Sequence, residues 1–121
     1  MAVEVEFTDE FEAWWIGLDE SEQESVKAVV GVLEVHGVQL GFPHSSGIAL
    51  SKHSHMRELR IQHKGSPYRV LYAFDPKRNA ILLIGGNKKG NDDWYEEYVP
   101  IADRLYDEHL QELDAESKKL R

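Results

Sequence analysis

No cysteine occurs among the 121 residues, which excludes disulfides, thiol nucleophiles and thiolate-bound zinc. Proline is scarce, at four residues, and no apolar run approaches the roughly 18 residues of a membrane-spanning helix. Basic residues are almost missing from the first 51 positions, where Lys27 stands alone against ten carboxylates for a net charge of −9. The first strand-like stretch begins at Ala2 without a basic leader segment before it, so a cytoplasmic protein with no membrane partner is expected. What is present is globular in character: 41% hydrophobic and 30% charged residues, in a chain long enough to keep one core without staples. The reading is a single domain over residues 1–116 and a frayed tail over 117–121.

The charge changes sign along the chain. Residues 52–91 carry nine basic side chains (Lys52, Arg57, Arg60, Lys64, Arg69, Lys77, Arg78, Lys88, Lys89) against Glu58 and Asp75, a net of +7. The last thirty residues return to −6, which leaves −8 for the whole chain. His53, His55 and His63 also fall in the basic block. Local potential attracts an anion, so this block can bind phosphate despite a pI near 5.2. Equally, acidic helices can flank a basic sheet and neutralise it internally, and composition leaves both readings open.

Periodicity supplies the elements. Ala2 to Phe7 alternates apolar and acidic residues as a half-buried strand does. Thr8 is a candidate N-cap for a short helix with Phe11, Trp14, Trp15 and Leu18 on one side. Asp19 followed by Glu22 resembles a capping box for a second helix whose stripe is Val26, Val29, Val30 and Leu33, ended by Gly37. The two read as a helical hairpin. Gln39 to Ser54 reads as loop. Arg57 to His63 and Tyr68 to Phe74 are alternating strands joined by a Gly65-Ser66-Pro67 turn. Ala80 to Ile84 is a continuous apolar strand ended by Gly85-Gly86. Trp94 to Tyr98 makes a helical turn, and Pro100 opens a long last helix with Ile101, Ala102, Leu105, Tyr106, His109, Leu110 and Leu113 facing inward. The order is β-α-α-β-β-β-α, an α+β fold with a small, mainly antiparallel sheet and all helices on one face. Strand parity then sets Glu58, Arg60 and Arg69 together on the face left open.

These residues carry a resemblance. Leu40-Gly41-Phe42-Pro43, Met56-Arg57-Glu58-Leu59-Arg60 and Tyr68-Arg69-Val70-Leu71-Tyr72-Ala73-Phe74 occur in that order. They are followed by Ile81-Leu82-Leu83-Ile84-Gly85-Gly86-Asn87-Lys88-Lys89-Gly90, Trp94-Tyr95 and Ile101-Ala102-Asp103. The ordered set resembles the RelE/ParE toxin superfamily, in its HigB-like, phage Gp49-related branch, over nearly the whole chain. The resemblance implies the toxin of a type II toxin-antitoxin module, a ribosome-dependent endoribonuclease that cuts mRNA without metal or other cofactor. It implies as partners a cognate antitoxin of helix-turn-helix type, the ribosome and mRNA. ParE-like relatives inhibit gyrase instead, so a non-enzymatic inhibitor and an inactivated member that only binds a partner remain alternative readings.

RNA brings its own nucleophile, the 2′-hydroxyl, so the protein must hold it in line with the phosphorus and stabilise the charge that develops. Arginine suits that charge because its planar fork stays ionised. By resemblance the catalytic set is Arg60, Arg69, Lys88, Lys89 and Tyr95, with Tyr95 stacking on a base or handling a proton. Lys52, His53, His55, Arg57 and Lys64 are the candidate RNA contacts of the same basic block, and His53 and His55 are of the residue type for a general base. Phe42 stands where many relatives carry a basic residue. Duller readings accompany each residue. Arg60 and Arg69 can simply pair with Glu58 across neighbouring strands. Lys88 and Lys89 can occupy a solvated turn, since the P-loop spacing is missing. His53 and His55 lack further ligands for a metal. Trp14, Trp15 and Trp94 read as packing residues, and His109 as a packed or capping histidine.

Overall fold

The computed structural model describes residues 2–119. Its elements are β1 (Val5–Phe7), α1 (Asp9–Ile16), α2 (Glu20–His36), a 3-10 turn (Gly37–Gln39), β2 (Ser45–Gly47), β3 (Arg57–His63), β4 (Ser66–Phe74), β5 (Ala80–Asn87) and α3 (Trp94–Lys119). The five strands form one sheet in the order β1-β5-β4-β3-β2. β1 runs parallel to β5, and the other pairings are antiparallel.

The expected caps form. Thr8 Oγ1 accepts from the Phe11 amide at 3.0 Å and donates to the Leu83 carbonyl at 2.6 Å, so the N-cap of α1 also ties it to β5. Asp19 and Glu22 exchange both capping-box bonds, at 2.7 and 2.9 Å. The free oxygen of Glu22 accepts from Tyr68 OH at 2.5 Å, which ties the start of α2 to β4. That bond, with burial, pushes the Tyr68 phenol up to about 12 from its ordinary 10. A folded-state value above the unfolded one gives stability that is complete below pH ~10 and lost as pH rises towards ~12. Unfolding titrations of wild type against Tyr68→Phe are therefore expected to diverge below that window and converge across it. A constant difference throughout would remove the bond from this role.

One expectation fails in an instructive way. The helices do not share a face. α1 and α2 cover Leu59, Ile61, Val70, Tyr72, Ala80 and Leu82 with Phe11, Val26 and Leu33. α3 covers Leu71, Ala73, Ile81 and Leu83 with Trp94, Val99, Ala102, Leu105 and Tyr106 on the opposite face. The cause is legible in β4 and β5: both are apolar on both sides, and a strand apolar on both sides needs cover on both. Smaller differences follow from local chemistry. The loop after α2 contains β2, three residues that pair with β3. The first strand is confined to Val5–Phe7. β5 continues through Gly85 and Gly86 to Asn87 instead of ending before them. α3 is one continuous helix with Pro100 inside it; the carbonyl its missing N–H leaves unpaired is that of exposed Glu96, open to water. The helix runs through Lys119, past the expected fraying at 117, and residues 120–121 lie outside the described ones. A register shift at Leu71/Tyr72 leaves Leu83 as an extra residue on β5. Beyond it, Gly86 lies opposite Arg69 and Gly85 opposite Val70.

No helix among the described residues is long and apolar enough to cross a membrane. His109 reaches the buried Asp75 carboxylate at 2.8 Å, and the other oxygen of Asp75 accepts the Lys77 and Asn79 amides of the β4–β5 turn. It is thus a packing histidine that fastens α3 to that turn. Trp14 and Trp15 join the core beneath the helical hairpin, and Trp94, the first residue of α3, is buried between that helix and the sheet.

Candidate functional site

Arg60 and Arg69 sit directly opposite each other on β3 and β4. Glu58, two residues before Arg60, lies on the same face, as alternation requires. Its carboxylate is buried and is the point on which the neighbours converge. One oxygen accepts from Tyr95 OH at 2.5 Å and lies 3.3 Å from Arg69 Nε. The other accepts from Ser46 Oγ at 2.6 Å and from Arg60 Nη1 at 3.2 Å. The Arg69 Nε contact is close enough for ion-pair attraction but is not aligned as a hydrogen bond, whereas Nη1 donates to the Tyr68 carbonyl at 2.9 Å.

The two arginines differ in access. The Arg60 side chain is 30% exposed, and its guanidinium lies 5.1 Å from the centre of the exposed Phe42 ring. Phe42 thus restrains Arg60 by a cation–π contact, in the place where a basic residue would have added charge. Arg69 is 7% exposed, beneath the first turn of α3. This corrects the expectation of an open face: Arg69 is a buried partner of Glu58, and the pairing of both arginines with Glu58 is what the structure contains. Lys88 Nζ lies 5.5 Å from the Tyr95 ring centre, and Lys89 is exposed next to it. A recess of about 270 Å³ opens over Glu58 and Tyr95, walled by Gly47 to Leu50 on one side and by Asp92 and Glu96 on the other. Burial first, then the bond to Glu58, pushes the Tyr95 phenol above its ordinary value, with Arg69 partly offsetting them. Tyr95 is therefore a protonated phenol at neutral pH, a donor and not a base.

The remaining candidates divide. Lys64 is exposed in the β3–β4 turn, at the same end of the sheet as Lys88, whose amide bonds to the Pro67 carbonyl. Arg57 belongs to the other face by parity and donates from Nε to Ser45 Oγ at 3.0 Å. Lys52, His53 and His55 are fastened to the middle of α3. Lys52 pairs with Asp107, His53 Nε2 lies 2.8 Å from the same carboxylate, and His55 Nε2 lies 3.1 Å from Tyr106 OH. These bonds hold Asp107 below the usual carboxylate range and raise the Lys52 ammonium. Tyr106 is about three helical turns from Tyr95, so the two histidines stand apart from the cluster and are corrected from possible bases to loop anchors. Ser51 and the Lys52 amide complete that anchor on Asp103.

Sequence reasoning did not name Glu58 or Ser46 as site residues. Parity put Glu58 on the face, but nothing in the pattern said both arginines would turn to it. Ser46 lies on a strand too short to leave a periodic signal.

The family described as phage-derived protein Gp49-like matches residues 13–107. The chain is similar to two Mycobacterium tuberculosis proteins named as proposed toxins. HigB2 is 42% identical over 111 residues, covering 90% of this chain and 55% of its own length. HigB3 is 42% identical over 94 residues, 77% of this chain and 81% of its own length. The chain thus spans about half the length of the first and most of the second. Among solved structures, a chain of the RelE–RelB complex of Pyrococcus horikoshii is similar with a TM-score of 0.54 and 15% identity. That likeness covers 75% of this chain and 99% of the other, and it is one of fold.

Proposed function

The chain belongs to the phage Gp49-like family, the HigB-like branch of the RelE/ParE toxins, and on that premise we propose that it is a toxin that cuts mRNA on the ribosome. The observation that carries the reading is the convergence of Arg60, Arg69 and Tyr95 on the Glu58 carboxylate, with Lys88 over the Tyr95 ring. In this scheme the scissile phosphate meets Arg60 and Lys88. Lys89 and Lys64 follow the backbone beyond them at the same end of the sheet. The neighbouring base enters the recess against Tyr95, because Asp92 and Glu96 repel a phosphate there.

The 2′-oxygen attacks phosphorus in line, its proton passes to water, and the P–O5′ bond breaks to leave a 2′,3′-cyclic phosphate. The phenol of Tyr95 protonates the departing 5′-oxygen and recovers its proton from solvent. Arg69, underneath, contributes its field and holds the strand geometry. A ribosome completes the site by splaying the message into in-line geometry, the part of the barrier that positioning removes. The HigB relatives are named as toxins, and the similar archaeal chain comes from a RelE–RelB complex. By extension the partner here is a cognate antitoxin, of helix-turn-helix type in this branch.

Purified protein is expected to cut message on programmed ribosomes, giving cyclic-phosphate and 5′-hydroxyl ends, and to leave naked RNA intact. Arg60→Ala should lower that cleavage by on the order of 100-fold while remaining folded, since its side chain is partly exposed. Intact message together with gyrase inhibition would transfer the protein to the non-enzymatic reading.

A further inference from the structure

We propose that Glu58 is the positioning residue of this site, a buried carboxylate that gathers Arg60, Arg69, Tyr95 and Ser46 from four elements into one anion-binding arrangement. The inference rests on the nuclease reading above and adds the group that organises it.

Three observations carry it. First, β3 and β4 place two guanidinium groups directly across from one another. Like charges in that position repel, and such a pair persists only with an anion between them. Glu58 is that anion, in contact with both. Second, its acceptor capacity is mostly engaged. Of the roughly four lone-pair sites of a carboxylate, Tyr95, Ser46 and Arg60 take three by hydrogen bonds, and Arg69 Nε stands 3.3 Å from the Tyr95-bound oxygen as an ion pair. A carboxylate so engaged holds its neighbours in place. Third, the charges match the reaction. Two arginines against one carboxylate leave a single positive charge, equal in size and opposite in sign to that of a phosphodiester. Lys88, over the Tyr95 ring, adds a second for the dianionic phosphorane. Ser46 belongs to the same arrangement: β2 exists to bring its hydroxyl to the outer oxygen of Glu58.

The experiment compares wild type, Glu58→Gln and Glu58→Asp in the full chain. The first readout is the titration of the Tyr95 phenol, followed by tyrosinate absorbance and assigned by its loss in Tyr95→Phe. The second is turnover on programmed ribosomes. In Glu58→Gln the Tyr95 titration should move to lower pH. Turnover should fall about 100-fold, because the reacting groups lose their registration, with little change in the ribosome concentration for half-maximal rate. Glu58→Asp keeps the charge on a shorter stem, so it serves if the glutamine variant does not fold. Its Tyr95 titration should also fall, with turnover down at least about tenfold. A folded variant with unchanged Tyr95 titration and near-normal turnover overturns the role of Glu58 while leaving the nuclease reading in place. If the wild type itself cuts no message, that reading falls, and the Tyr95 titration alone decides Glu58: a downward shift supports it, no shift overturns it.

Discussion

Arg69→Ala is expected to lower cleavage on the order of 10²–10³-fold and to lower the stability of the fold by about 3–5 kcal/mol. The second half of that expectation comes from the structure. An arginine on an open face could be truncated with little effect on folding. Arg69 is buried against Glu58, which is equally buried, and its Nη1 satisfies the Tyr68 carbonyl. Removal takes one donor from that carbonyl and shifts the burden of Glu58 to Arg60, Tyr95 and Ser46. The remaining three donors place the cost at the lower end of the range. Cleavage should fall on the order of 10²–10³-fold even where the variant is folded, because the field of the guanidinium and its hold on Glu58 are lost together. Urea unfolding gives the stability, and ribosome assays at a temperature where the variant is fully native give the activity. Arg69→Lys separates the two effects. The ammonium keeps the charge near Glu58 but cannot span to Tyr68, so it should recover more stability than activity. A native Arg69→Ala protein that cuts at the wild-type rate would remove Arg69 from the site altogether.

The site was half legible in the sequence, and the reason lies in what alternation encodes. A period of two states which side chains share a face, so Glu58, Arg60 and Arg69 were grouped correctly. It does not state what covers that face. The apolar residues between them, Leu71 and Ala73 on β4 and Ile81 and Leu83 on β5, already required a cover on the arginine side. The two apolar surfaces of β4 call for the last helix on the side of Arg69. Histidines illustrate the opposite limit. His53 and His55 have the right chemistry for proton transfer, but their partners Tyr106 and Asp107 are some fifty positions away. Nothing local marks such pairs.

Caps and turns were the most legible part of the fold, because their signals are local. Thr8, Asp19 with Glu22, and Gly37 terminate helices where expected. β2 was invisible since three residues carry no period, and its strand character comes entirely from pairing with β3. Gly85 and Gly86 give a strand-ending signal that tertiary packing overrides. Glycine usually ends a strand, and here it marks close approach of another element instead.

That close approach leads to the second large expected effect. A β-carbon on Gly86 would stand 2.7 Å from Trp94 Nε1, and one on Gly85 2.4 Å from the Trp14 ring. Neither distance is tolerated, so each alanine must displace an indole, at a cost of roughly 1–3 kcal/mol for overpacking. The consequences differ by face. Trp94 is 1% exposed and begins α3, immediately before Tyr95. Pushing it outward moves Tyr95 from Glu58 and lifts the cover over Arg69, so Gly86→Ala should lose cleavage about 100-fold as well as stability. Trp14 lies on the helical-hairpin face and is only partly buried, so it can swing. Gly85→Ala should therefore destabilise with a much smaller loss of cleavage. Gly31, inside α2 with no atom near its would-be β-carbon, supplies the control of opposite sign: Gly31→Ala should stabilise by about 0.5–1 kcal/mol. Unfolding midpoints and ribosome cleavage for the three variants separate packing from chemistry. Equal activity losses in Gly85→Ala and Gly86→Ala would mean that the start of α3 is not what holds the reacting groups in place.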